Sequence, residues 1–173
     1  VRLHRMAYGP ETLDERSEVP LGEGLETMGS FPVTWLNVTG LHDVRVIEEL
    51  GRRLGWHPLT QEDIVNTTQR PKVEEYPGYL FMVFKMISCD EGAAHLDTEH
   101  VSVLLGPGYL VSFQEREGDV FDAVRQRIRT GKGRLRKMGA DYLAFALLDA
   151  VVDHYFLAIE RIGDRIEALD DQI

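Results

Sequence analysis

The sequence predicts an α/β fold that finishes in one long helix. Two observations predict it. Short alternating apolar runs set off by Gly and Pro turns read as strands. Amphipathic stretches with helix-start and helix-stop residues lie between and after them. The 173 residues, 43% of them hydrophobic, suffice for one core of ordinary size, with or without an appended helical arm.

The elements follow in chain order. Leu3–Tyr8 suits an edge strand, and residues 9–32, rich in Gly, Glu and Pro, read as loop with a short helix at most. Val33–Val38 alternates as a strand, ended by Thr39 and Gly40. Asp43 caps a helix through Leu54, with Val46, Ile47, Leu50 and Leu54 on one face and Gly55 as the stop. Thr60–Thr67 reads as a short helix in which Thr60 and Asp63 make a capping-box-like pair. Pro71 breaks it. Val73–Glu75 and Tyr79–Ser88 read as strands joined at Pro77-Gly78, and Glu99–Leu105 and Tyr109–Gln114 as a hairpin around Gly106-Pro107-Gly108. Asp119 caps a helix to about Arg129, which Gly131 and Gly133 interrupt.

From Ala140 onward no Pro appears. Leu148, Val152, Tyr155, Ile159, Ile162, Ile166, Leu169 and Ile173 recur in alternating steps of four and three, the pattern of a heptad seam. Such a helix is ~50 Å long at 1.5 Å per residue, too long for this domain to cover alone. Its far end calls for a partner helix or a second subunit. The periodicity reaches Ile173 with no stop signal, so the chain reads as cut within the helix. The organisation expected is an α/β domain over residues 1–138 and the start of a helical arm over 139–173.

Charge narrows the function. A net charge of −10 disfavours nucleic acid and anionic membrane surfaces and favours cations. Cys89 is the single cysteine, which excludes an internal disulfide or a Cys-based zinc knuckle and fits a reducing compartment. No secretory leader and no run of about 18–20 apolar residues is apparent, so the chain as given is expected to be soluble. Arg125, Arg127, Arg129, Lys132, Arg134, Arg136 and Lys137 form a basic stretch, a solvated face or a contact for phosphate. Nucleotide-binding Gly-rich loops and the hydrolase nucleophile elbow are absent.

Candidate chemistry lies in carboxylates. Glu62 and Asp63 stand beside His57 and suit a hard cation such as Mg2+, which takes one or two carboxylates and keeps several waters. From pattern alone the acids read first as cap and first-turn dipole residues, Asp63 completing the cap of Thr60, and only second as metal ligands. Asp149 and Asp153 lie i, i+4 on the long helix. They are a repelling pair that a cation would relieve, or simply a solvent-exposed edge. His4, His42, His57, His95, His100 and His154 show no helical zinc spacing, and His154 adjoins Asp153.

Several ordered motifs together resemble the soluble domain of CorA-type magnesium transporters. They are Trp35-Leu36-Asn37-Val38-Thr39-Gly40-Leu41-His42, Gly55-Trp56-His57-Pro58-Leu59-Thr60-Gln61-Glu62-Asp63-Ile64-Val65-Asn66 and Gln69-Arg70-Pro71-Lys72-Val73-Glu74. Glu99–Val103, Val111–Glu115, Gly118–Asp122, Arg125–Arg129, Ala140–Leu143 and Leu148–Phe156 extend the likeness, which spans roughly Pro32–Ile173. It implies a mixed β-sheet flanked by helices, an αβα sandwich, followed by long helices. It implies a cytoplasmic domain of a homopentameric membrane transporter of Mg2+, with Co2+ possible, whose membrane helices and Gly-Met-Asn pore motif lie outside this chain. It further implies regulatory Mg2+ held between subunits by residues matched here by Glu62, Asp63 and Asp149, with Asp153 on the same face and a further acid on a neighbour's stalk helix. A related zinc transporter domain, a metal-dependent hydrolase using Glu62, Asp63, Asp149 and a His, and a pure oligomerisation module are the alternatives.

Overall fold

The computed structural model describes residues 1–88 and 96–170. Strands β1 (Arg2–Tyr8), β2 (Leu13–Arg16), β3 (Val33–Thr39), β4 (Lys72–Tyr76), β5 (Tyr79–Ser88), β6 (Asp97–Gly106) and β7 (Tyr109–Gln114) form one sheet in the order β2-β1-β3-β7-β6-β5-β4. Among the described residues only β3 and β7 pair in parallel, with Trp35 opposite Leu110, and every other pair is antiparallel. The sheet is therefore mixed, as the resemblance implies. The helices are α1 (Leu21–Glu26), α2 (Val44–Leu54), α3 (Pro58–Val65), α4 (Asp122–Thr130) and α5 (Ala140–Asp170), with a 3-10 turn at Leu135–Lys137.

Strand alternation builds two cores. On one face Leu36, Val38, Phe81, Val83, Leu104, Val111 and Phe113 pack against Ile47 and Leu50 of α2 and Ile64 of α3. On the other, Trp35, Met82, Phe84, Met86, Val101 and Val103 pack against Val124 and Ile128 of α4 and Leu143, Leu147 and Val151 of α5. The result is the expected αβα sandwich. α2 is capped as its sequence predicts: Asp43 accepts from the Arg45 N–H, and Gly55 closes the helix in the left-handed conformation at φ 72°.

Four expectations are corrected. β1 is interior rather than an edge, because Leu13–Arg16 forms an additional strand outside it. α3 begins at Pro58, with His57 Nδ1 accepting from the Leu59 N–H, so Thr60 is not the cap but a buried residue whose hydroxyl meets Tyr79 Oη at 2.8 Å. Asp119 precedes α4 instead of capping it: its carboxylate accepts from the Phe121 N–H and binds Arg125. Lastly, by length and composition α5 is apolar enough to cross a membrane, because a helix tolerates the few charges that break its apolar run. Its Leu143–Val151 segment is packed on the sheet, so that part of α5 is a component of the core.

The heptad seam lies beside the buried stripe of α5 rather than on it. Ala140, Leu143, Ala144, Leu147, Val151 and Ala158 meet the protein interior. Leu148 and Tyr155 reach the core edge, while Val152, Ile159, Ile162, Ile166 and Leu169 are between 44% and 63% exposed. Among the described residues nothing covers the seam. The basic stretch is partly consumed by the fold: Arg125 is buried against Asp119, and Arg129 pairs with Glu15 of β2 at 2.6 Å. Cys89, His95 and Ile173 lie outside the described residues.

Candidate functional site

α3 delivers Glu62 and Asp63 to the sheet face opposite α5. Its N-terminus is pinned through Tyr79 of β5, whose hydroxyl accepts from the His57 N–H at 3.0 Å and meets Thr60 Oγ1 at 2.8 Å. Tyr79 stacks on Tyr76 with ring centroids 4.9 Å apart, and Tyr76 stacks on His57. The C-terminal end of α3 is held by Gln69, whose side chain donates to the backbone carbonyl of Asp63. Between these anchors Glu62 is exposed and Asp63 is three-quarters buried.

The Asp63 carboxylate is already engaged. Lys72 Nζ of β4 donates to its Oδ2 at 2.6 Å and to Glu74 Oε1 at 3.0 Å. Tyr76 Oη donates to the other Glu74 oxygen at 3.1 Å, and the Lys72 ammonium lies 5.6 Å from the centre of the Phe81 ring. Burial pulls the Lys72 ammonium down, but its bonds to Asp63 and Glu74 outweigh burial and leave its pKa raised. The same ammonium holds Glu74 below the usual carboxylate range. Beneath α3, Lys85 donates to the Thr67 carbonyl at 2.6 Å, and His100 meets Ser102 Oγ at 2.9 Å. Burial, with Lys85 nearby, pushes the His100 pKa down to about 4, so this imidazole is neutral at physiological pH.

The second acid pair is on the other side of the sheet. Asp149 and Asp153 project from α5 and are exposed, flanked by the exposed Phe145, Val152 and Phe156. His154 Nδ1 is tied to the Ala150 carbonyl at 2.9 Å. The sequence-predicted residues thus form two exposed or half-exposed pairs on opposite faces, and the structure does not bring them together. Among the described residues, no group of three or more His, Cys, Asp or Glu side chains converges as a metal site. A hydrolytic centre built from Glu62, Asp63 and Asp149 of one chain is excluded by that separation, because catalysis needs its groups around one reacting atom. Sequence reasoning missed Lys72 as the partner of Asp63. The Lys72-Val73-Glu74 alternation on a strand was the available signal, but only the sheet register places it beside α3.

Comparison with known proteins gives first the class and then the family. The fold is shared with solved structures of low sequence identity. It superposes on the soluble domain of CorA from Methanocaldococcus jannaschii with a TM-score of 0.71 at 14% identity, covering 98% of this chain and 63% of that one. It also superposes on the ZntB cytoplasmic domain from Vibrio parahaemolyticus with a TM-score of 0.65 at 15% identity, covering 92% and 62%. By sequence, the cobalt/magnesium transport protein CorA of Thermotoga maritima is 42% identical over 168 residues, 97% of this chain and 48% of that protein. Residues 32–173 match the family described as CorA-like Mg2+ transporter protein, and the chain belongs to that family. Its relatives are transporters, not enzymes. The chain spans about half the length of the Thermotoga relative and less of the others.

Proposed function

We propose that this chain is the cytoplasmic regulatory part of a divalent-cation transporter, and that it senses Mg2+, or Co2+ in its place, at contacts between subunits of a homopentamer. In this reading residues 1–138 are the sensing domain, residues 139–173 begin the arm that leads toward the pore, and the membrane segments lie outside these residues. Glu62 and Asp63 of one subunit supply one side of a metal site. Asp149 and Asp153 supply ligands on a different contact surface, facing an acid of the adjacent subunit.

The observation that carries the reading is the placement of the acid pairs on opposite faces of the sheet. Acids so placed cannot share an ion within one chain, yet a ring of identical subunits turns different faces toward its neighbours. Carboxylates gathered across such a contact repel, and a divalent cation that bridges them favours the closed assembly by its differential affinity. The exposed apolar seam of α5 beside Asp149 and Asp153 supports a contact there.

The test is the thermal stability of the complete gene product in detergent, titrated with Mg2+ from zero to about 100 times its apparent Kd. Mass action then predicts stabilisation of about 2.7 kcal/mol per site. Asp63→Ala combined with Asp149→Ala abolishes the response, each variant being compared with its own metal-free melt. An unchanged Mg2+ response in that double variant refutes the assignment.

A further inference from the structure

We propose that Lys72 is a built-in competitor for the divalent cation at Asp63, and that Glu74, which already shares its ammonium, keeps that charge when the metal takes Asp63. The proposal deepens the sensor reading and rests on it. Its basis is one ammonium shared between two carboxylates, 2.6 Å from Asp63 Oδ2 and 3.0 Å from Glu74 Oε1.

The two seats are neighbours by construction. Lys72 pairs with Val83 and Glu74 with Phe81, so residues 72 and 74 lie on the same face of β4, the face that carries α3. β4 is the last strand of the sheet, and the side chains there are partly open: the exposures are 28% for Lys72 and 37% for Glu74 of β4, and 25% for Asp63 of α3. The ammonium already touches both carboxylates, so releasing Asp63 while keeping Glu74 asks only for a side-chain rotation. The Phe81 ring beneath it confines that rotation, and Tyr76 holds Glu74 in place to keep it.

A cation arriving at Asp63 meets a positive charge already in contact with the ligand oxygen. Metal and ammonium repel across that carboxylate, so binding is an exchange in which Lys72 gives way. Glu74 eases the exchange by keeping the displaced charge. The arrangement weakens the site and makes its affinity depend on a residue that never touches the metal. A weak site is what a sensor of abundant Mg2+ requires. Lys72 is in this sense a positioning residue, acting through Asp63.

The exchange predicts effects of opposite sign from the two ends of one hydrogen-bonded unit. Mg2+ binding to the complete gene product, measured by isothermal titration, should tighten about tenfold in Lys72→Met, because the competing charge is gone. It should weaken about threefold in Glu74→Gln, because the ammonium then has no second carboxylate and stays on Asp63. Lys72→Arg should return the affinity to within about threefold of the unsubstituted protein. The metal-free melts are recorded alongside. A purely structural role would lower both melts and move both affinities the same way. Opposite shifts establish the competition. Shifts of the same sign, or no shift, overturn it while the parent protein still binds Mg2+. Absence of Mg2+ binding in the parent protein overturns the sensor reading and the Lys72 proposal with it.

Discussion

Replacing Arg125 by Met should cost about 3 kcal/mol of stability. The guanidinium binds Asp119 through both terminal nitrogens, with Nη1 at 2.6 Å from Oδ1, and its carbon lies 5.2 Å from the centre of the Trp35 ring. The Arg125 and Asp119 side chains are only 10% and 5% exposed, whereas Asp122, bound at 2.9 Å, is 85% exposed. The Asp122 contact therefore contributes at most about 1 kcal/mol. Most of the cost comes from Asp119, which keeps the Phe121 N–H but loses its counter-charge. Stranding a buried charge typically costs ~3–5 kcal/mol. The lower end applies here because a cleft of about 290 Å3, lined by His4, Asn37, Asp119 and Arg125, gives water a route to the carboxylate.

At about 2–4 °C per kcal/mol for a chain of this size, the melt should fall by roughly 10 °C. The assay is equilibrium urea unfolding of Arg125→Met, Asp119→Asn and the double variant. Removing both partners leaves no unpaired charge, so the double variant should be less destabilised than the sum of the single ones, with a coupling of about 2 kcal/mol. Additive single effects, or a loss below about 1 kcal/mol for Arg125→Met, would refute the account of Arg125 as the charge partner that seats α4 on Trp35.

Three further outcomes follow from the same contacts. Tyr79→Phe removes the hydroxyl that serves both the His57 N–H and the buried Thr60, and should cost about 1–3 kcal/mol in urea unfolding by loosening the start of α3. Gly106→Ala places a Cβ 2.2 Å from the Tyr109 ring, so the ring must swing away from Trp56, at a cost of about 1–3 kcal/mol, whereas Gly22→Ala, with nothing within 4 Å, should be neutral or slightly stabilising in parallel melts. His100 binds its proton less readily folded than unfolded, since its pKa is pushed from 6.5 to about 4. The unfolded chain therefore takes up the proton first as pH falls, and stability drops between pH 6.5 and 4 while staying flat in this respect above pH 6.5. His100→Gln should reduce the slope of urea-derived stability in that window.

How much of this was legible depends on what each residue advertises. The strands around Trp35, Phe84, Val101 and Val111 announce themselves by apolar alternation. β2 does not, because Leu13-Asp14-Glu15-Arg16 is mostly charged. It is held by pairing with β1, by Glu15 reaching His4 and Arg129, and by Asp14 reaching the buried Arg5. The start of α3 was missed because Thr60 is a common cap and His57 is not, although Pro58 at the first helical position marks it. On α5 the large residues of the exposed end outline the heptad seam, while the face that meets the sheet mixes Leu143, Leu147 and Val151 with alanines, which a search for bulky apolar residues passes over. The four acids were legible as residues. Their separation by a sheet was not, because it follows from strand order rather than from spacing.

That separation decides what the acids can do. A metal held by one chain would leave its carboxylates pre-gathered and would report ion concentration to no other subunit. Acids on opposite faces of a rigid sandwich cannot gather until copies of the chain approach, so in the proposed assembly any bridging ion is linked to the subunit contact itself. The sandwich between the sites is close-packed, with Trp35, Phe81, Phe113 and Leu104 fully buried, so in the proposed assembly a shift at one face would move it as a rigid body. α5 begins in that core, at Leu143 and Leu147, and runs beyond it with an uncovered seam. In the proposed assembly a change in how neighbouring sandwiches sit would be carried outward along this helix, about 47 Å long, the lever that the proposed gating requires.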